Sequence, residues 1–236
     1  MQWETMLYTA STWVLPVLIA ITLHEAAHGF VAHRLGDDTA YRLGRVTFNP
    51  LKHIDLFGTI LMPAVLLLVR SPVLFGYAKP VPVKFYALRH PRRDMVLVAL
   101  AGPGINIALA IAAALLFHLV AYLPSEAAPW VAQNLRNALL INVVLAVFNM
   151  LPLPPLDGGR VAVGLLPNFL ALPLARLEPY GMIILIAALL VLPVLGAQLD
   201  FDLNILPHLI TGPVETIIEG TASPARTKEL PIRSYR

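Results

Sequence analysis

The chain has 236 residues, 58% of them hydrophobic and 13% charged, with a net charge of +3. Soluble domains are about a quarter charged and about half apolar, so this composition excludes an ordinary soluble globule. Cysteine is absent, which rules out disulfides and thiolate metal sites. The basic residues sit in short loops beside apolar runs, where orientation signals sit, so the positive charge points to a lipid bilayer and to no nucleic-acid partner.

The N-terminal stretch MQWETMLYTASTW lacks the basic start of a cleavable signal peptide, so the first apolar helix is expected to be retained. It is expected over residues 8–35, with Tyr8 and Trp13 as interfacial aromatics, followed by Arg34, Arg42, Arg45 and Lys52. Next comes LFGTILMPAVLLLV, residues 56–69, too short for a comfortable crossing and interrupted by Pro63. A second basic loop follows, with Lys79, Lys84, Arg89, Arg92 and Arg93. A full crossing by 56–69 would leave one basic loop outside, against the positive-inside rule, so a re-entrant segment is expected, with both loops cytoplasmic.

Residues 96–123 carry no charge and are expected to cross outward. The loop PSEAAPWVAQ holds Glu126 and no Lys or Arg, as an outer loop should. Residues 135–151 return, a short segment after Asp157 ends near Arg176, and the uncharged run 180–199 crosses outward, leaving Asp200 and Asp202 outside. Residues 201–220 are broken by Pro207 and Gly212-Pro213, and the basic tail 221–236 reads as disordered with a cytoplasmic end. The expected fold is an all-α polytopic membrane protein of about five to six membrane segments, one of them re-entrant, with a short cytoplasmic β-hairpin or extended loop. Residues 1–220 are expected to form a single domain with its core over 8–170.

The first helix contains LIAITLHEAAHGFVAH, residues 18–33. His24 and His28 are four apart and share one helix face. Such an HExxH pattern can bind zinc through both imidazoles while the glutamate, here Glu25, serves as general base. The plain alternative is a pair of interfacial histidines with a snorkelling glutamate. Depth weighs against it: the three residues lie roughly 13–15 Å inside the cytoplasmic boundary at 1.5 Å per residue. An ionisable group at that depth persists where it faces an interior cavity with a partner, and a metal is the partner that uses all three. A third histidine at the HExxHxxGxxH position is missing, since Val31 and Arg34 stand there. His33 falls on a different face and reads as interfacial.

The third ligand must come from elsewhere. FNMLPLPPLDGGR, residues 148–160, ends an apolar helix with Pro152, Pro154 and Pro155, which cannot continue a helical ladder. Irregular backbone at membrane depth needs burial or a watery cavity, so Asp157 should emerge beside one, with Gly158 and Gly159 giving a tight turn behind it. The topology brings Asp157 to the depth of the histidine pair, so a His-His-Asp set can close. Its alternative role is to cap the following helix.

These residues carry a resemblance. HEAAH, AGPGIN (101–106) and NMLPLPPLDGG, in that order, are similar to motifs of the site-2 protease family (peptidase family M50) of intramembrane zinc metalloproteases. NPLKHID (49–55) and YAKPVPV (77–83) resemble its small prokaryotic branch, without PDZ or CBS modules. The resemblance spans roughly residues 20–160. It implies one zinc ion per chain held by His24, His28 and Asp157, a catalytic Glu25, and a role for Asn149 in holding the substrate backbone. It further implies regulated intramembrane proteolysis of single-pass membrane-protein substrates, in a prokaryotic inner membrane, with the active site near the cytoplasmic side. For Asn149 an interhelical hydrogen bond is the competing role. Asn142 reads as packing glue, and Asn106 is open.

YAKPVPVKFY reads as an edge strand able to pair with an unwound substrate, or as a plain connector. His53 could gate the cytoplasmic mouth or be a loop histidine without a task. A di-iron oxidase would need several Glu-x-x-His boxes, and only Glu25–His28 has that spacing. A non-catalytic metal-binding protein or transporter could use the same buried ligands; Glu25 discriminates, because hydrolysis needs a base and transport does not.

Overall fold

The computed structural model describes residues 2–68, 76–191, 195, 211 and 212. Among them the structure is helical, with no strand. The ambiguous stretch 201–220, apart from residues 211 and 212, lies outside the described residues, as do most of 192–199 and the tail 221–236.

α1 runs Gln2–Arg34 and α2 is one short turn, Thr39–Arg42. The apolar segment after it opens with a π-helical stretch, Leu56–Leu61, and continues as α3, Met62–Leu68. α4 covers Pro91–Phe117. Pro91 suits the first helical position because no N–H is needed there, and Asp94 Oδ2 reaches back to accept from His90 N at 2.8 Å, in the manner of a capping box. α5 spans Ala128–Asn149 and stops before the three prolines. The short helices α6, Asp157–Leu165, α7, Asn168–Arg176, and α8, Gly181–Ile186, complete the described chain.

Among the described residues, four stretches are long and apolar enough to cross a membrane: Trp3–Arg34, Pro91–Tyr122, Ala128–Asn149 and Asn168–Leu189. The last begins before the expected 180, because the apolar residues of α7 join those of α8 with little charge between them. Leu56–Leu68 is apolar but shorter than these four.

α4 packs between α1 and α5, and α1 also meets α5. Small side chains at the contacts, Ala20, Ala99, Ala110, Ala113 and Ala146, are buried and let the backbones approach closely. The large apolar residues Leu15, Leu18, Ile19, Ile111 and Leu115 are exposed instead. Buried polar groups, among them Thr12, Thr22, Asn106, Asn137 and Asn142, run down the interior. Apolar outside and polar inside is the arrangement a bilayer solvent favours. The polar seam between α1, α4 and α5 leads to the site.

Candidate metal centre

His24 and His28 project from one face of α1 toward α4 and are both buried. Their rings meet edge to face, with centroids 4.6 Å apart. Gly102 of α4 makes room for them: a Cβ there would sit 2.4 Å from His28 Nε2 and 2.5 Å from His24 Cε1. His28 Nδ1 lies 2.7 Å from Val98 O. A peptide carbonyl only accepts, so Nδ1 carries a proton, and in the neutral ring the His28 Nε2 lone pair faces inward. His24 Nδ1 lies 2.6 Å from Asn106 Oδ1.

Asp157 opens α6 and is buried. Gly158 and Gly159 are helical, so they do not form the expected turn. They allow close packing instead, because a Cβ on Gly158 would lie 2.2 Å from Met150 O and one on Gly159 2.4 Å from Pro154 N. The proline loop therefore sits directly on the first turn of α6 and holds Asp157 against the histidines.

The two Nε2 atoms are 3.0 Å apart. Asp157 Oδ2 lies 3.2 Å from His24 Nε2 and 3.3 Å from His28 Nε2, and no hydrogen bond reaches this buried oxygen. With both imidazoles neutral and protonated on Nδ1, these are electron-pair donors facing one another, an arrangement that a bound cation relieves. Zinc with bond lengths of about 2.0–2.1 Å in a tetrahedron separates its ligands by about 3.3 Å. The observed triangle and its N/N/O donor set fit such an ion, and His24, His28 and Asp157 are the one such group among the described residues.

The triangle opens onto a cavity of about 270 Å³ that Glu25, Asn149, Tyr77, Val81, Phe148 and Leu185 help to line. Glu25 is half-buried and its Oε2 accepts from Val81 N at 2.7 Å. Gly29, one turn beyond Glu25, lets this happen: a Cβ there would press on Val81 Cγ1 at 3.1 Å and Val46 Cγ2 at 2.9 Å. Asn149 reaches the cavity while its Nδ2 donates to Leu145 O at 2.9 Å.

Val81 belongs to the YAKPVPV segment, which forms neither helix nor strand. The backbone N–H groups of its residues 77, 79 and 81 point to the body of the protein. Tyr77 N donates to Gly58 O at 3.1 Å, Lys79 N to His53 O at 2.9 Å and Val81 N to Glu25. Arg45 Nη2 donates to Lys79 O at 2.8 Å and Thr59 Oγ1 to Tyr77 O at 2.9 Å. Pro80 and Pro82 fall at even positions, where their missing N–H groups leave Ala78 as the one donor on the opposite edge between 77 and 82. That edge is poor in donors for strand addition, and the segment reads as a braced wall of the cleft. His53 is buried within this brace, with Nε2 3.2 Å from Thr47 O. His33 pairs with Asp38 at 2.6 Å and stacks on Tyr41, away from the metal-ligand group.

Sequence reasoning missed the parts played by Val98, Gly102, Val81 and Gly29. Val98, Gly102 and Asn106 are spaced four and four, one face of α4, and that spacing around AGPGIN was the available signal. Nothing in the sequence marks a backbone N–H as the partner of Glu25.

Residues 119–192 match the family model described as Peptidase family M50. The chain is 40% identical over 175 residues to the Bacillus subtilis protein named "Putative zinc metalloprotease YwhC", covering 72% of this chain and 76% of that one. It is 30% identical over 184 residues to "Putative zinc metalloprotease Rip2" of Mycolicibacterium smegmatis, covering 76% and 66%. The protein of that name from Mycobacterium tuberculosis is 32% identical over 145 residues, covering 60% and 52%. No solved structure matches the chain.

Proposed function

The chain belongs to the site-2 protease family, peptidase family M50, and from that premise we propose that it is an intramembrane zinc metalloprotease. It hydrolyses peptide bonds within or near the transmembrane segments of single-pass substrate proteins, as a step of regulated intramembrane proteolysis. The observation that carries this reading is the convergence of His24 Nε2, His28 Nε2 and Asp157 Oδ2 within 3.0–3.3 Å beside a cavity that also receives Glu25. The relatives, named as zinc metalloproteases, support the choice of metal.

In this reading His24, His28 and Asp157 hold one zinc ion per chain. Bound there, zinc would supply Lewis acidity toward a peptide carbonyl and toward water. Glu25 takes a proton from the attacking water and passes it to the departing amine nitrogen. Its carboxylate is aimed for both transfers by the Val81 N–H. Asn149 holds the unwound substrate backbone through its amide, and the braced 77–83 segment forms the facing wall. Burial of the ligands among α1, α4 and α6 confines water to the cavity.

The placement follows from the loops. Both basic loops lie on the cytoplasmic side, Leu56–Leu68 is re-entrant, and residues 1–220 form one domain followed by the basic tail 221–236. The bacterial relatives favour a prokaryotic inner membrane, with the site near its cytoplasmic face. Cysteine labelling at residues 40–48 and 84–92 should report the same side; opposite sides would make 56–68 a full crossing.

The test of function is Glu25→Gln, which keeps size and removes basicity. Zinc content should stay at the wild-type level while hydrolysis of a membrane-embedded substrate falls by about 10²–10⁴-fold, mainly in kcat. A zinc-loaded Glu25→Gln protein that cleaves at the wild-type rate would leave the transporter or metal-store reading.

A further inference from the structure

We propose that Asn106, itself oriented by Asn142, is a positioning residue that fixes the tautomer of His24 and so presents its Nε2 lone pair to the metal. This rests on the metal-site reading above and deepens it. The direction of the chain of hydrogen bonds starts at a backbone atom. Asn142 Nδ2 lies 2.8 Å from Ala138 O, and a carbonyl only accepts, so this end of the Asn142 amide is the NH₂ group. Asn142 Oδ1 is thereby turned to Asn106 Nδ2 at 2.8 Å. The same Nδ2 lies 3.4 Å from Ala20 O, a second atom that only accepts. The Asn106 amide is held by two acceptors, and its Oδ1 is left for His24 Nδ1 at 2.6 Å. An amide oxygen cannot donate, so His24 Nδ1 carries a proton, and in the neutral imidazole this leaves Nε2 as the lone-pair nitrogen.

Burial gives the relay its authority. Asn106 is 0% exposed and Asn142 2%, so no solvent competes for these amides. His28 needs no such relay, because Val98 O performs the same task with a fixed backbone atom. The two imidazoles, four apart on α1, therefore meet Asn106 and Val98, eight apart on α4, with Gly102 between them. The pairing of 24 with 106 and 28 with 98 is the register of antiparallel helices. An amide orients a ring only while its own orientation is held, and Asn142 holds it.

The test uses the full-length protein in detergent, with Zn²⁺ affinity from chelator competition and the d–d spectrum of the Co²⁺-substituted protein. Asn106→Leu should weaken Zn²⁺ binding by about 10–100-fold, the usual cost of removing a hydrogen-bond partner of a ligating histidine, and should shift the Co²⁺ bands. Asn106→Asp keeps an acceptor for His24 Nδ1 through either oxygen and should lose less Zn²⁺ affinity than Asn106→Leu. Asn142→Leu should weaken binding in the wild-type background and have no effect in the Asn106→Asp background, where no amide needs orienting. A packing role for Asn142 would instead give the same loss in both backgrounds, and would overturn the relay. Undiminished Zn²⁺ affinity in a folded Asn106→Leu protein would overturn it too. If that variant does not fold, the paired Asn142→Leu measurements decide alone. A wild-type protein that binds no Zn²⁺ would instead refute the site reading on which this rests.

Discussion

The cleft has two walls built on different principles. On one side, His24, Glu25 and His28 sit on α1, Asp157 on α6 and Asn149 on α5, and the helices satisfy their own backbone groups. On the other side, residues 76–84 have no regular structure, and their backbone groups are satisfied by Gly58, His53, Arg45, Glu25 and Asp37. A peptide group packed away from water needs a partner. The helical wall therefore can be stiff and specialised for chemistry, whereas the irregular wall is held by bonds that can be removed one at a time. Substitutions on the first should abolish metal binding or catalysis; those on the second should scale them down.

On the helical wall, next to Glu25→Gln, a large effect is expected from Gly102→Ala. Its Cβ would overlap both imidazoles, 2.4 Å from His28 Nε2 and 2.6 Å from His24 Nε2, and should cost zinc affinity and activity at least as much as losing a histidine's hydrogen-bond partner, about 10²-fold. Gly104→Ala is the control two residues on. Nothing lies within 4 Å of a Cβ there, so activity should hold, and thermal stability should stay level or rise by up to about 1 kcal/mol from helix propensity.

A smaller effect is expected from Val81→Pro, which deletes the one donor to Glu25 on the irregular wall. A hydrogen bond to a charged group contributes about 1.5–3 kcal/mol, so kcat should fall by roughly 10–100-fold at unchanged zinc content. Val81→Ala keeps the N–H and should leave kcat near wild type. Equal kcat in both variants would show that the wall does not aim Glu25.

The smallest effect concerns Asp37, beyond the end of α1. Its carboxylate accepts from Lys84 N at 2.6 Å, Thr39 Oγ1 at 2.5 Å and Thr39 N at 3.0 Å. Burial pushes its pKa up, but the Thr39 and Lys84 donors and the Lys84 charge prevail and hold it below the usual carboxylate value. A depressed carboxylate stabilises the fold above its unfolded pKa, and that contribution is lost as pH falls through the folded one. Asp37→Asn should cost about 1–2 kcal/mol at pH 7, with the gap to wild type closing as pH drops below about 4. Thermal unfolding across that range checks it, and a gap that persists in acid would assign the effect to packing.

The same contrast governs what could be read in advance. His24 and His28 were legible because helical periodicity converts a spacing of four into one face. Asp157 was legible because three prolines end α5 and force irregular backbone at depth. The glycines after it were misread as a turn, since their close approach to Met150 and Pro154 depends on which segment packs above them. Asn106 and Asn142 stood out as polar residues in apolar helices, yet their relay needs the relative rotation of α1, α4 and α5, which is a tertiary fact. The bonds of residues 77–84 were illegible, because a backbone N–H carries no sequence signature.

The central claim, a single zinc held by two imidazoles and one carboxylate, is tested most directly by zinc-edge X-ray absorption on the purified protein, read together with metal content. The account predicts about one zinc per chain, with a first shell of nitrogen and oxygen at about 2.0–2.2 Å and the multiple-scattering signature of two imidazoles, reduced in metal content by Asp157→Ala. Absence of stoichiometric zinc, or a first shell without histidine scattering, would contradict it.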